Sequence, residues 1–167
     1  MDLKSLYREV ILEHYKQPRN HAPLWAPGAQ ADCASARESL CKNPSCGDRV
    51  TVQLCIEDGK LAKVAFQGTG CAISQASASM MTEAVKGHSL EAVQAVRAEF
   101  RRMIVEGNET PDAEVLGDLI TLQGVAKLHA RVKCALCGWS ALDAALAQTG
   151  EINLELDSTL PESSGSV

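Results

Sequence analysis

The residues best equipped for chemistry are Cys46 and Asp48, in the run Asn43-Pro44-Ser45-Cys46-Gly47-Asp48. A single glycine between them lets a tight turn aim a thiolate and a carboxylate at one point, and Pro44 stiffens the approach. Gly68-Thr69-Gly70-Cys71 repeats the device, and Arg131-Val132-Lys133-Cys134 offers a third thiol. Three sulfurs and one carboxylate make a tetrahedral set for zinc, and the thiolates alone suit iron-sulfur ligation. The spacing matches no standard zinc finger, so the residues point to a metal or sulfur site without choosing between them.

Taken singly, each cysteine also reads as a small buried hydrophobe. That reading fits Cys46 badly, because a neighbouring carboxylate is costly against apolar packing unless a cation compensates it. It fits Cys33, Cys41 and Cys55, which no motif accompanies. Cys134-Ala135-Leu136-Cys137 is a C-x-x-C, but a thioredoxin-like role wants a preceding strand that residues 124–133 do not supply. His14, His21, His88 and His129 each stand alone and read as solvent-facing or capping residues, with His129 the nearest in sequence to a site cysteine. Arg131 and Lys133 would lower thiol pKa values and steady anionic sulfur if they face the cluster.

The elements that position these residues follow from periodicity. Leu3, Leu6, Tyr7, Val10, Ile11, His14 and Tyr15 recur at helical spacing until Pro18. Residues 29–41 are small and polar and give only a weak edge-strand signal. Val50, Val52, Leu54 and Ile56 alternate, as do Ala62, Val64 and Phe66 beyond Asp58-Gly59, which predicts a hairpin closed by a positive-φ turn. The hairpin brings the Cys46 and Cys71 loops to one end. A helix follows Cys71, placing that thiol at a helix N-terminus whose free N–H groups favour a thiolate. Gly87 ends this helix, and Ser89 caps another carrying Leu90, Val93, Val96, Phe100 and Ile104. A short helix is expected over 115–122, and a last one from about Ala135, with Trp139, Leu142 and Leu146 inward and Cys134 at its start.

At 167 residues the chain reads as one domain over 1–150, followed by an acidic tail, 151–167, expected to be disordered beyond about Leu160. A net charge of -5 gives no reason to expect nucleic acid or an anionic membrane as partner. No apolar run reaches the length of a membrane span, and residues 1–16 mix charged with apolar positions unlike a signal peptide. Clustered cysteines without such a signal predict a reducing, cytoplasmic setting, where they bind metal or do sulfur chemistry.

Longer motifs carry a resemblance. Tyr7-Arg8, His14-Tyr15-Lys16-Gln17-Pro18-Arg19-Asn20, the Asn43 to Asp48 run, Gly68 through Met81, Leu122-Gln123-Gly124-Val125 and Ala130 to Cys134 resemble the IscU/NifU N-terminal family of iron-sulfur assembly proteins over about residues 3–149. Within it the chain looks most like the SufU branch: residues 107–123 resemble the SufU insertion, and Arg131 matches an arginine typical of SufU. Lys133 stands where IscU has a histidine, and Leu128 to Lys133 replaces the Leu-Pro-Pro-Val-Lys segment that recruits a chaperone, so chaperone-driven delivery is not expected. The resemblance implies an α/β (α+β) fold with a three-stranded antiparallel sheet, helices against it and the metal site at one end. It implies zinc on Cys46, Asp48, Cys71 and Cys134, and a SufS-type cysteine desulfurase as partner, with downstream iron-sulfur assembly proteins beyond it. Cys46 would accept persulfide sulfur and Arg131 would steady it. The alternatives are a scaffold building a [2Fe-2S] or [4Fe-4S] cluster on the same ligands, with Cys134 as sulfur acceptor, and a purely structural zinc module that binds a partner.

Overall fold

The structure is a computed structural model that describes residues 2–26 and 29–154. Helix α1 (Leu3–Lys16) starts at Asp2, whose side chain accepts from the Ser5 N–H. Strands β1 (Ala36–Asn43), β2 (Asp48–Glu57) and β3 (Lys60–Thr69) form an antiparallel meander. The β2–β3 turn takes Asp58 and Gly59 at φ 52° and 72°, as its sequence predicts. Helices α2 (Ala72–Val85) and α3 (Leu90–Ile104) follow, the second capped by the Ser89 side chain on the Ala92 N–H. A four-residue helix, α4 (Ala113–Leu116), leads into a 3-10 segment over Gly117–Lys127, then helix α5 (His129–Ala147) and strand β4 (Ile152–Asn153).

Helices α2 and α5 lie across the sheet, and the core fills the space between. Val50, Val52, Leu54, Val64 and Phe66 meet Met81, Val132, Leu136 and Leu142 there, all buried. Phe100 of α3 stacks on Trp139 of α5 at 4.8 Å between centroids. Burial of this apolar surface drives assembly, at about 25 cal/mol per Å² removed from water.

Three expectations are corrected. The sheet has four strands in the order β3-β2-β1-β4, because Ile152 and Asn153 pair in parallel with Cys41 and Lys42. Two residues carry no readable alternation, so this edge left no trace in the pattern. Helix α5 starts at His129, which puts Cys134 more than a turn inside it. Its burial wraps around the helix from Val132 to Ala145 and blurs the periodic stripe that would mark the start. The predicted short helix over 115–122 is divided between α4 and the 3-10 segment. Leu154 is fully buried, so the sheet and core take in residues 152–154; the expected disorder beyond Leu160 lies outside the described residues.

Candidate metal centre

Strand register builds the site. Asn43 ends β1 and pairs with Asp48, the first residue of β2, while Arg49 pairs with Thr69 at the end of β3. The β1–β2 turn and the β3–α2 junction therefore share one edge of the sheet. Cys46 sits at the turn tip, where its N–H donates to the Asn43 carbonyl at 3.2 Å and Gly47 takes φ 72°. Open space surrounds that glycine, so its role is the backbone angle rather than close packing.

Asp48 is only 1 % exposed, yet its carboxylate is well satisfied. Oδ1 accepts from the Cys71 N–H at 3.1 Å, and Oδ2 accepts from Asn43 Nδ2 at 3.0 Å. Gly70, at φ 153°, makes room: a Cβ there would collide with the Asp48 carboxylate and the Ser74 hydroxyl. Cys71 is the N-cap of α2, its sulfur accepting from the Ser74 N–H at 3.5 Å. From the other side α5 delivers Cys134, fully buried, with Asn43 Nδ2 donating to its sulfur at 3.7 Å. The Ala130 carbonyl accepts from both Cys46 Sγ at 3.8 Å and Cys134 Sγ at 3.9 Å.

One ligand atom each from Cys46, Asp48 and Cys134 lies within 4.8 Å of the others. Cys71 falls outside that set. The neighbouring Cys134 thiol draws the Cys71 thiol down to about 6, against burial and the repulsion of Asp48, with backbone N–H groups at the helix start assisting. Cys134 moves the other way, pushed up by the neighbouring Cys71 sulfur, then by burial and by its contacts with Asp48 and Cys46. Arg131 reaches the same point, its guanidinium pKa raised by a hydrogen bond to Cys134 and by attraction to Cys71, Cys134 and Cys46.

The donor set fits a divalent ion that prefers sulfur with one oxygen. Asn43 Oδ1 is buried there with no hydrogen-bond partner, and a carboxylate and two thiols crowd within 4.8 Å of one another. A dication would settle the charge of that group.

All five residues singled out from the sequence thus converge, and Asn43 and the Ala130 carbonyl complete their surroundings. Asn43 belongs to the same turn motif as Asp48, but nothing in residue type distinguished it from an ordinary turn asparagine. The histidines are elsewhere. His129 opens α5 in an exposed position, and His14 proves to be a core residue, 2 % exposed, with Nδ1 2.8 Å from Ser79 Oγ and Nε2 3.3 Å from Asp118 Oδ2. Cys55 and Cys41 are buried, as packing roles require.

Residues 6–148 match the family described as the NifU-like N terminal domain. The chain belongs to that family. It is 39% identical over 150 residues to the zinc-dependent sulfurtransferase SufU of Bacillus subtilis (strain 168), spanning 88% of this chain and 93% of that protein. The iron-sulfur cluster assembly scaffold protein IscU of Streptococcus pyogenes serotype M1 is 36% identical over 160 residues, with 96% and 94% covered. The crystal structure described as that of an iron-sulfur cluster assembly scaffold protein for the SUF system (FiSufU), from Fervidobacterium islandicum AW-1, superposes with a TM-score of 0.69 at 32% identity, over 87% of this chain and 99% of that one. The resemblance to the IscU/NifU family is thereby established for this chain, and its members include iron-sulfur assembly proteins of both SufU and IscU type. Among the described residues no helix is long and apolar enough to cross a membrane.

Proposed function

We propose that this protein is a SufU-like sulfur acceptor that takes persulfide sulfur from a SufS-type cysteine desulfurase and passes it into iron-sulfur assembly in a reducing, cytoplasmic setting. Cys46, Asp48, Cys71 and Cys134 hold zinc, which when bound keeps its sulfur ligands deprotonated at neutral pH. The observation that carries the reading is the difference in access among the sulfurs. Cys46 is partly exposed on a turn with a positive-φ glycine beside it, while Cys71, equally partly exposed, is held as the N-cap of α2 and Cys134 is sealed in α5. The Cys46 thiolate attacks the outer sulfur of the desulfurase persulfide. A new S–S bond forms on Cys46, the desulfurase S–S bond breaks, and the desulfurase cysteine leaves as a thiolate. Arg131, exposed beside the three sulfurs, holds the negative charge that the Cys46 persulfide carries once its proton is lost.

The scaffold reading, a [2Fe-2S] or [4Fe-4S] cluster on the same ligands, is favoured by the likeness to IscU over 96% of the chain. Metal analysis of native protein paired with a desulfurase assay separates the two. Stoichiometric zinc with desulfurase stimulation supports sulfur transfer, visible absorbance after anaerobic reconstitution supports a scaffold, and zinc with neither marks a structural module. Undiminished stimulation and sulfur uptake in Cys46→Ser would remove Cys46 from its role.

A further inference from the structure

Among the described residues a second group of side chains, away from the thiol cluster, brings metal-ligating atoms together. One atom each from His14 of α1, Glu83 of α2 and Asp118 of the 3-10 segment lies within 4.8 Å of the others. His14 is 2 % exposed, while the Glu83 and Asp118 side chains reach solvent at 45% and 62%. The buried imidazole is held from behind. Its Nδ1 lies 2.8 Å from Ser79 Oγ, and the same oxygen accepts from the Arg19 N–H at 2.8 Å. Ser79 is fully buried, so the ring is fixed with Nε2 toward the carboxylates, 3.3 Å from Asp118 Oδ2. Glu83 is held as well, its Oε1 accepting from Arg19 Nε at 3.1 Å.

We propose that His14, Glu83 and Asp118 form a second metal site, which takes one divalent first-row cation that prefers nitrogen and oxygen, manganese(II) or iron(II). The gap between His14 and Asp118 carries the argument. A hydrogen bond from a ring N–H to a carboxylate closes to about 2.7–2.9 Å when it is charge-assisted. Two atoms that ligate one ion at about 2.1 Å stand about 3.0 Å apart at a right angle and about 3.4 Å apart at the tetrahedral angle. The observed 3.3 Å falls between those two values. With Nδ1–H donated to Ser79, the usual arrangement for a metal-bound imidazole, Nε2 turns a bare lone pair toward the carboxylate, and a cation between them removes the repulsion.

The surroundings agree. Metal-bound imidazoles and carboxylates are oriented by outer hydrogen-bond partners, the places Ser79 and Arg19 fill here. Arg19 is shared between Glu83 and Glu13, which leaves carboxylate charge for a dication to balance. Glu83 and Asp118 also line a cavity of about 560 Å³, room for the water that completes a coordination shell. Both carboxylates are exposed enough to swing inward onto an ion. One imidazole and two carboxylates are harder ligands than the sulfurs of the cluster, so the two sites select different ions. They are also well apart: Cys71 caps α2 and Glu83 lies twelve residues along it, about 18 Å at helix rise.

Full-length protein is first given one equivalent of zinc to fill the cluster. Manganese(II) chloride is then titrated in, with the free ion read by electron paramagnetic resonance and zinc measured on the same sample. One manganese(II) per chain is expected to bind with zinc retained, broadening the His14 ring signals in the proton NMR spectrum and leaving those of His129 sharp. Asp118→Asn and Glu83→Gln, at exposed positions that keep the fold, each weaken binding by about tenfold or more. Glu114→Gln, on the wall of the same cavity but outside the ligand set, leaves it within about twofold. No saturable binding, zinc released as manganese enters, broadening centred on His129, unchanged affinity in the Asp118 and Glu83 variants, or equal weakening in Glu114→Gln would overturn the proposal. Zinc content and desulfurase stimulation do not depend on this second ion, so failure here leaves the proposed sulfur transfer standing.

Discussion

Cys134 and Cys137 lie one turn apart on the same helix, and Cys41 lies two residues before Asn43 on the same strand, yet the two thiol groups have opposite surroundings. Around Cys134 stand a carboxylate, an amide, a guanidinium and two further sulfurs. Around Cys137 stands apolar core, with the Cys41 sulfur and a backbone carbonyl as its polar company. Both thiols are pushed up by a sulfur neighbour and by burial, so residue type and pKa direction alone do not distinguish them. What separates a ligand from a packing residue is the presence of groups that can carry charge beside it.

The largest contrast is metal content. Cys134→Ser is expected to reduce zinc in the purified protein from stoichiometric to near none, while Cys137→Ser keeps the zinc and loses about 1 to 3 kcal/mol of stability for a hydroxyl placed in apolar core. Elemental analysis and urea denaturation of the two variants measure this; equal zinc loss in both would break the distinction. Next comes the carboxylate. Asp48→Ala orphans Asn43 Nδ2 and the Cys71 N–H, both inside the site. The expected cost in the metal-free protein is about 3 kcal/mol, readable as a lowered urea midpoint at unchanged slope.

Arg131→Met tests the exposed cation. Because exposed charges are worth at most about 1 kcal/mol, sulfur uptake from the desulfurase should fall by about fivefold or less with zinc and stability intact. The gentlest probe is alkylation of metal-free protein. A thiol lowered to about 6 is a thiolate above that pH and loses its reactivity below it. Iodoacetamide should therefore label Cys71 with a half-point near pH 6 rather than the ordinary value of about 8.5, while sealed Cys137 stays unlabelled across the range. Peptide mass spectrometry across pH 5 to 9 reads both.

Much of the site was legible because its geometry is local. A glycine between Cys46 and Asp48 writes the turn into the sequence, and the period change after Cys71 writes the N-cap. The hairpin then fixes that both loops share one edge, although a bulge between Cys55 and Ile56 shifts the register that the Asp58-Gly59 turn starts. The parts that stayed hidden depend on distant partners. Strand β1 turns Ser39, Cys41 and Asn43 inward, small or polar side chains that show no hydrophobic alternation. Strand β4 is two residues long, and its partner is more than a hundred positions earlier. The contact of the Cys137 thiol with the Cys41 carbonyl arises only once strands and helices are stacked, and a list of cysteines shows no such pair. The four-stranded sheet is accordingly a fact of packing more than of pattern.

Gly138 lies where α5 crosses α2, and a Cβ there would sit 3.0 Å from that of Ala78. One turn away the Ser77 hydroxyl donates to the Ala135 carbonyl at 2.6 Å, bolting the same two helices together. One helix carries Cys71 at its tip and the other carries Cys134, so these sulfurs behave as the fixed jaws of a vice whose gap no loop motion can widen. Any cargo that must come and go has only the third side to use, the hinged turn of Cys46.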